Sequence, residues 1–244
     1  MKHFFVVVIL LCGFIPVLGQ GGTAIPQNIR AANTLDDLGS FMPGDLLYGI
    51  PMPPKQLLGD AYLNPDWRPA NILLFTKETL LEGYPIRYDL LKNELEVKAS
   101  NGIKVLEGRR VKSFVWKDSL SWTNEFFINA SLYKDEDNTP MTGFFKVLAD
   151  GRSPLMSKPK AYIKEADYNV QFDVGTRDDK IIKKEILYYA KDGVAYELPK
   201  SRKKILAIFG ENSDKIAEYV KVNELDHSNR TDIIRVFTYY NSLE

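Results

Sequence analysis

The chain has 244 residues, with Lys+Arg 32 balancing Asp+Glu 32, two His, one Cys and 45% hydrophobic residues. That composition excludes a disordered, collagen-like or disulfide-stapled chain. Charge balance also argues against a general nucleic-acid binder, which carries a basic excess to displace counterions.

Residues 1–19 read as an export signal. Lys2 and His3 form a short polar start, Phe4 to Leu11 is continuously apolar, and Pro16 precedes Val17-Leu18-Gly19. The run is shorter than the roughly 20 residues that span a bilayer, so the expectation is a cleaved signal peptide, not a transmembrane span. The predicted cut lies after Gly19, and the expected location is secreted or periplasmic. A lipoprotein signal at Cys12 fits less well, because Leu11 stands where a small residue is needed. Cleavage leaves no Cys, a single His (His227), and 31 basic against 32 acidic residues. Disulfides are then unavailable, and stability must come from a buried core.

Residues 20–60 form an extended segment rich in Pro and Gly (Pro26, Gly39, Pro43, Gly44, Gly49, Pro51, Pro53, Pro54), which block helix continuation. Leu46, Leu47, Tyr48, Ile50 and Met52 could lie in a groove of the next domain, so docked tail and free linker both stay open.

Across residues 61–198 the periodicity is two, as in strands with one buried face. Ile86, Tyr88 and Leu90 alternate with Arg87 and Asp89; Leu95 and Val97 alternate with Glu94, Glu96 and Lys98; Phe126, Ile128, Ala130 and Leu132 alternate with Glu125, Asn129 and Ser131. A two-residue loop at Lys92-Asn93 would set Leu90 opposite Leu95 and Tyr88 opposite Val97. At Asn101-Gly102 the apolar pattern favours a bulged three-residue loop of Ser100, Asn101 and Gly102, pairing Val97 with Val105 and Ala99 with Ile103. Further strands are expected at residues 71–77, 109–117, 143–149, 158–165, 181–190 and 194–198, with Asp192-Gly193 turning between the last two. In 143–149 both faces are apolar, Phe144 and Leu148 against Phe145 and Val147, as in a doubly covered strand or a lined cavity. No crossover helices separate these runs, so the sheet should be mainly antiparallel.

Residues 199–244 change to helical spacing. Ile205, Ile208 and Phe209 precede Gly210 at a C-cap position; Ile216, Tyr219 and Val220 repeat the stripe; Ile233, Val236, Phe237 and Tyr240 follow Asn229 as N-cap with Asp232 at N3. The expected fold class is α+β: a mainly antiparallel curled sheet, open-barrel or sandwich-like, followed by a small C-terminal cap of three short helices.

Absences bound the chemistry. There is no GxSxG, GxGxxG, P-loop or HExxH motif. A Ser-His-Asp triad would rest on His227 alone, between Asp226 and Ser228, where a solvated loop histidine is the plainer reading. Zinc and copper sites lack ligands. Asp135-Glu136-Asp137-Asn138 offers oxygens for Ca²⁺, but Pro140 and Lys146 stand where an EF-hand needs Gly and Glu, so turn carboxylates are expected here and at Asp178-Asp179. No metal, cofactor or catalytic residue is assigned. A carboxylate-based hydrolase of surface polysaccharide needs two acids about 5–10 Å apart in one cleft, and stays open as a rival.

The residues singled out for ligand or partner binding are Lys200, Arg202, Lys203 and Lys204, whose charge opposes the dipole of the helix they begin, and Trp116 and Trp122, near Asp118 and Glu125, which suit either core packing or sugar stacking. Asn129-Ala130-Ser131 and Asn229-Arg230-Thr231 match the glycosylation sequon, the first inside an expected strand; in a bacterial protein neither carries meaning.

Several stretches resemble a group of uncharacterised secreted proteins of Bacteroidota-type bacteria: Pro85-Ile86-Arg87-Tyr88-Asp89-Leu90 with Asn93-Glu94-Leu95-Glu96, Phe145-Lys146-Val147-Leu148 with Asp150-Gly151, Ile205-Leu206-Ala207-Ile208-Phe209-Gly210, and Tyr239-Tyr240-Asn241. The resemblance covers the chain from Tyr62 onward, includes no catalytic motif, and implies compartment and shape without an activity. The expected function is non-enzymatic binding of an envelope partner, lipid or glycan, since curved sheets lidded by helices enclose ligands. A scaffold docking through a sheet edge is the structural alternative.

Overall fold

The computed structural model describes residues 55–117, 124–169 and 171–243; the expected export signal, most of the Pro/Gly-rich segment and Trp122 lie outside them. Eleven strands form one unclosed sheet: β1 (Leu57–Leu58), β2 (Arg68–Leu74), β3 (Leu80–Asp89), β4 (Glu94–Ala99), β5 (Gly102–Glu107), β6 (Val111–Lys117), β7 (Asn124–Asn129), β8 (Phe144–Ala149), β9 (Leu155–Lys164), β10 (Asp179–Lys191) and β11 (Val194–Glu197). Neighbours run β1-β10-β9-β8-β7-β6-β2-β3-β4-β5, with β11 also on β10. β1 runs parallel to β10, where Leu57 faces Asp179, and Lys134 makes a lone parallel bridge to Val194. Three helices follow: α1 (Arg202–Ile208), α2 (Ser213–Val222) and α3 (Arg230–Asn241).

Turn chemistry sets the registers. Asp192 and Gly193 both take positive φ (52° and 80°), the mirror-image turn that matches strand twist, and Lys191 pairs with Val194 as their two-residue loop requires. The β3–β4 connection corrects the expected Lys92-Asn93 loop. It takes four residues, Leu90 to Asn93, so Tyr88 faces Leu95 and Ile86 faces Val97. Asp89 causes this: its carboxylate accepts from the backbone N–H of Leu91 and Lys92, while Tyr88 Oη donates to Asn93 Oδ1. The slip is two residues, so the apolar side chains keep their face.

The β4–β5 turn overturns the bulge. Ser100-Asn101 is a two-residue loop, Gly102 (φ 117°) opens β5, and Val97 faces Lys104 instead of Val105. The pleat therefore turns Ile103 and Val105 to solvent, 56% and 55% exposed. β5 ends the strand order, so that parity strands no buried apolar partner, and the glycine at the positive-φ position decides the turn. In β7 the expected face is also reversed. Phe127 is fully buried, Phe126 is 40% exposed, and Ala130–Leu132 leaves the sheet as a 3₁₀ turn.

The sheet is covered on both faces. Phe144 joins one core with Ile72, Ile86, Leu95, Phe114, Trp116 and Phe127; its neighbour Phe145 joins another with Met156, Tyr188 and Ala190 on the opposite side. Strand 144–149 is thus doubly covered at its start. The helices form the third core: Ile205, Phe209, Ile216, Ile233, Val236 and Phe237 close over Ala149 and Leu155. Gly210 has φ 53° just past α1, and Asn229 caps α3 by accepting from Thr231 and Asp232 N–H. Asn241, ending α3, donates to the carbonyls of Asp150 and Ser153 and accepts from Ser153 N–H. The β8–β9 turn is thereby tied to the helical cap. A Cβ on Gly151 would stand 2.5 Å from Asn241 Cγ, so the close approach requires glycine there.

Candidate functional site

Trp116 lies on β6, 1% exposed, its ring 5.6 Å from Phe114 and 5.2 Å from Phe127. Antiparallel pairing puts Ala70 on one side of it and Glu125 on the other. Arg68, opening β2, sets its guanidinium 4.9 Å from the indole centroid and donates to Glu125 Oε2 at 3.0 Å. Lys146 of β8 reaches the other carboxylate oxygen at 2.6 Å. These side chains line a cleft of about 390 Å³, closed by Lys183, Lys184 and Glu185 of β10 and by Arg230 of α3. Trp116 Nε1 is buried with no hydrogen-bond partner.

Glu185 and Arg230 are bonded side chain to side chain, and Ser157 Oγ donates to the same carboxylate. Burial disfavours the Glu185 carboxylate, but hydrogen bonds from Arg230 and Ser157 outweigh it and hold its pKa below the usual range. Lys183 is anchored by Asp60 at 2.8 Å and by the Tyr62 carbonyl at 2.6 Å. That hydrogen bond to Lys183 lowers the Asp60 pKa against a smaller burial penalty.

Beyond this wall lies a second cleft of about 650 Å³ that shares Lys184, Glu185 and Arg230. It adds Lys200, His227 and Glu197 over an apolar side of Ile186, Leu187, Leu198, Pro199 and Ile233. Six lysines and arginines therefore line the joined clefts against three glutamates.

The structure brings Trp116 and Lys200 to these clefts and leaves the other described candidates outside. Arg202, Lys203 and Lys204 are exposed on the first turn of α1 and line neither cleft. Trp122 falls outside the described residues. His227 lines the second cleft, 3.5 Å from Asp226, but Ser228 Oγ donates to Asp226 instead of to the imidazole, so no nucleophilic triad forms. The acidic loop is a hydrogen-bonded turn in which Asp135 Oδ1 accepts from Asp137 and Thr139 N–H. Among the described residues no group of three His, Cys, Asp or Glu is placed to hold a metal, and no helix is long and apolar enough to cross a membrane.

Glu125 and Glu185 do line one cleft, the arrangement a carboxylate hydrolase would need. Such an enzyme also needs one member protonated. Glu185 is held ionised, and Glu125 has each oxygen on a cation.

Sequence reasoning missed Arg68, Lys146, Lys183, Lys184, Glu185 and Arg230, and had Glu125 only as an acid near Trp116 and Trp122. These seven residues come from four strands and a helix, and no local spacing joins them. One signal was legible: Lys146 is the single charged position in β8, and Glu125 the single one in β7. The chain matches no family model, and searches of curated proteins and of solved structures find no match.

Proposed function

We propose that the chain is an exported, non-enzymatic binding protein whose joined clefts take an anionic glycan of the cell envelope. The carrying observation is the surplus of cationic side chains, six against three glutamates, that line the joined clefts beside Trp116. Carboxylate or sulfate groups supply the negative charge, while Ile186, Leu198 and Ile233 offer an apolar strip for sugar C–H faces. Export follows from the signal-like residues 1–19 and from the resemblance to secreted Bacteroidota-type proteins.

The test is a fluorescence titration of the Trp67→Phe/Trp122→Phe variant, which keeps Trp116 as its single tryptophan, with an oligogalacturonate tetrasaccharide and a neutral galactose tetramer. The charged sugar should bind, more weakly as salt rises, and Arg230→Gln should weaken it about tenfold or more. Equal binding of both sugars, or of neither, would refute the reading. Release of new reducing ends from the charged sugar would instead favour the Glu125–Glu185 hydrolase.

A further inference from the structure

Away from these clefts, Lys158 on β9 is 7% exposed, an unusual burial for a lysine. Its ammonium sits 5.4 Å from the centroid of the Phe145 ring, and it forms no hydrogen bond or ion pair with any described residue. It lines a cavity of about 420 Å³ open to solvent, whose charged rim is Asp135, Glu136, Asp137, Glu197 and Lys160. Buried lysines normally gain a carboxylate partner. Here the carboxylates stand around the mouth, and the amine is left to the cavity.

We propose that Lys158 is a nucleophilic amine that forms an imine with a small neutral or cationic aldehyde entering this cavity. The inference is independent of the glycan reading and shares only Glu197 with those clefts. The neutral Nζ adds to the carbonyl carbon to give a carbinolamine. The two hydrogens of the amine then leave with the former carbonyl oxygen as water, and an Nζ=C bond remains. Four carboxylates against two lysines at the cavity disfavour an anionic aldehyde. Burial lowers the Lys158 pKa from 10.5 to about 8, with help from the like charge of Lys160 and against the opposing pull of Asp135. At pH 7.4 about a fifth of such amines are neutral, against roughly one in a thousand for an ordinary lysine. Tyr188, which faces the same cavity, stays a neutral phenol because burial, seconded by Glu197, raises its pKa.

The experiment is reductive trapping on the intact protein. Glycolaldehyde (neutral) and glyoxylate (anionic) are each supplied with cyanoborohydride, which delivers hydride to the imine carbon, and modified lysines are quantified by peptide mass spectrometry. At pH 7.4 glycolaldehyde should label Lys158 at least about tenfold faster than exposed Lys98 and Lys203, with glyoxylate much slower at Lys158. Raising the pH to 10.5 should all but erase the preference for Lys158, since about half of the ordinary lysines are then neutral. Labelling of Lys158 at pH 7.4 no faster than at Lys98 and Lys203 overturns the proposal, and equal labelling by both aldehydes overturns the selection by charge. Neither outcome depends on a variant's folding; Lys158→Arg serves only to show that the mass shift is lost.

Discussion

Asn129 is the most consequential polar side chain in the core, and its replacement by Ala can be reasoned through. It is 3% exposed; its amide donates to the carbonyls of Gly108 (2.9 Å) and Val111 (2.6 Å), and its Oδ1 accepts from Ser131 N–H. It thereby joins the end of β7 to the turn entering β6. Ala would break three hydrogen bonds, each worth about 1 kcal/mol net, although the Gly108 carbonyl keeps the Val111 N–H as a donor. The expected loss is about 3 kcal/mol. For a chain of this size 1 kcal/mol moves Tm by roughly 2–4 °C, so the midpoint should fall about 6–12 °C. Urea unfolding followed by near-UV circular dichroism, with Asn229→Ala alongside, supplies the scale. Asn229 is an exposed helix cap, and its loss should cost only about 1 kcal/mol. If Asn129→Ala costs no more than Asn229→Ala, the claimed network does not hold β7 to β6. The same burial predicts that Asn129 stays unmodified in a glycosylating host, despite its sequon.

Gly108→Ala should destabilise by about 1–3 kcal/mol, because the new Cβ would lie 2.4 Å from Asn93 Oδ1; adding Asn93→Gly, which also suits φ 55°, should recover most of it in a denaturant double-mutant cycle. Phe237→Ala removes a fully buried ring that packs on Phe209 and should cost about 3–5 kcal/mol in thermal or urea unfolding. The Glu185 carboxyl is depressed in the fold, so its ionisation stabilises above the ordinary carboxylate pKa of 4.5, and that benefit fades as pH falls through the lower folded value. The stability gap between the native chain and Glu185→Gln, measured by denaturant titration, should therefore be constant at neutral pH and shrink below about pH 4.5.

Elements whose chemistry is local were legible in the sequence. Asp192-Gly193 specifies its own turn, Asn229 its own cap, and Ile205, Phe209, Ile216, Ile233, Val236 and Phe237 are buried at the spacing that marked them. Registers were less legible, because two forces competed. At Ser100-Asn101 the turn prevailed over apolar pairing, since an edge strand lets Ile103 and Val105 face water. In β7 the eye followed Phe126 and Ile128, although a sheet covered on both sides leaves no single apolar face to find. Trp116 is legible as an aromatic near acids, yet its burial follows from Arg68 over its ring and from Phe114 and Phe127 beside it. The clefts were illegible for the same reason: their charges converge from strands far apart in the chain.

The link from Glu185 to Arg230 joins a strand to the opening turn of the last helix, and those same two side chains stand between the hollows. A change at this partition cannot stay on one side. A solute that draws the guanidinium toward itself reshapes the neighbouring chamber and slackens the clasp on the helix, whereas one that settles against both side chains tightens it. Amide-exchange protection at the beginning of α3 would register such traffic in either direction.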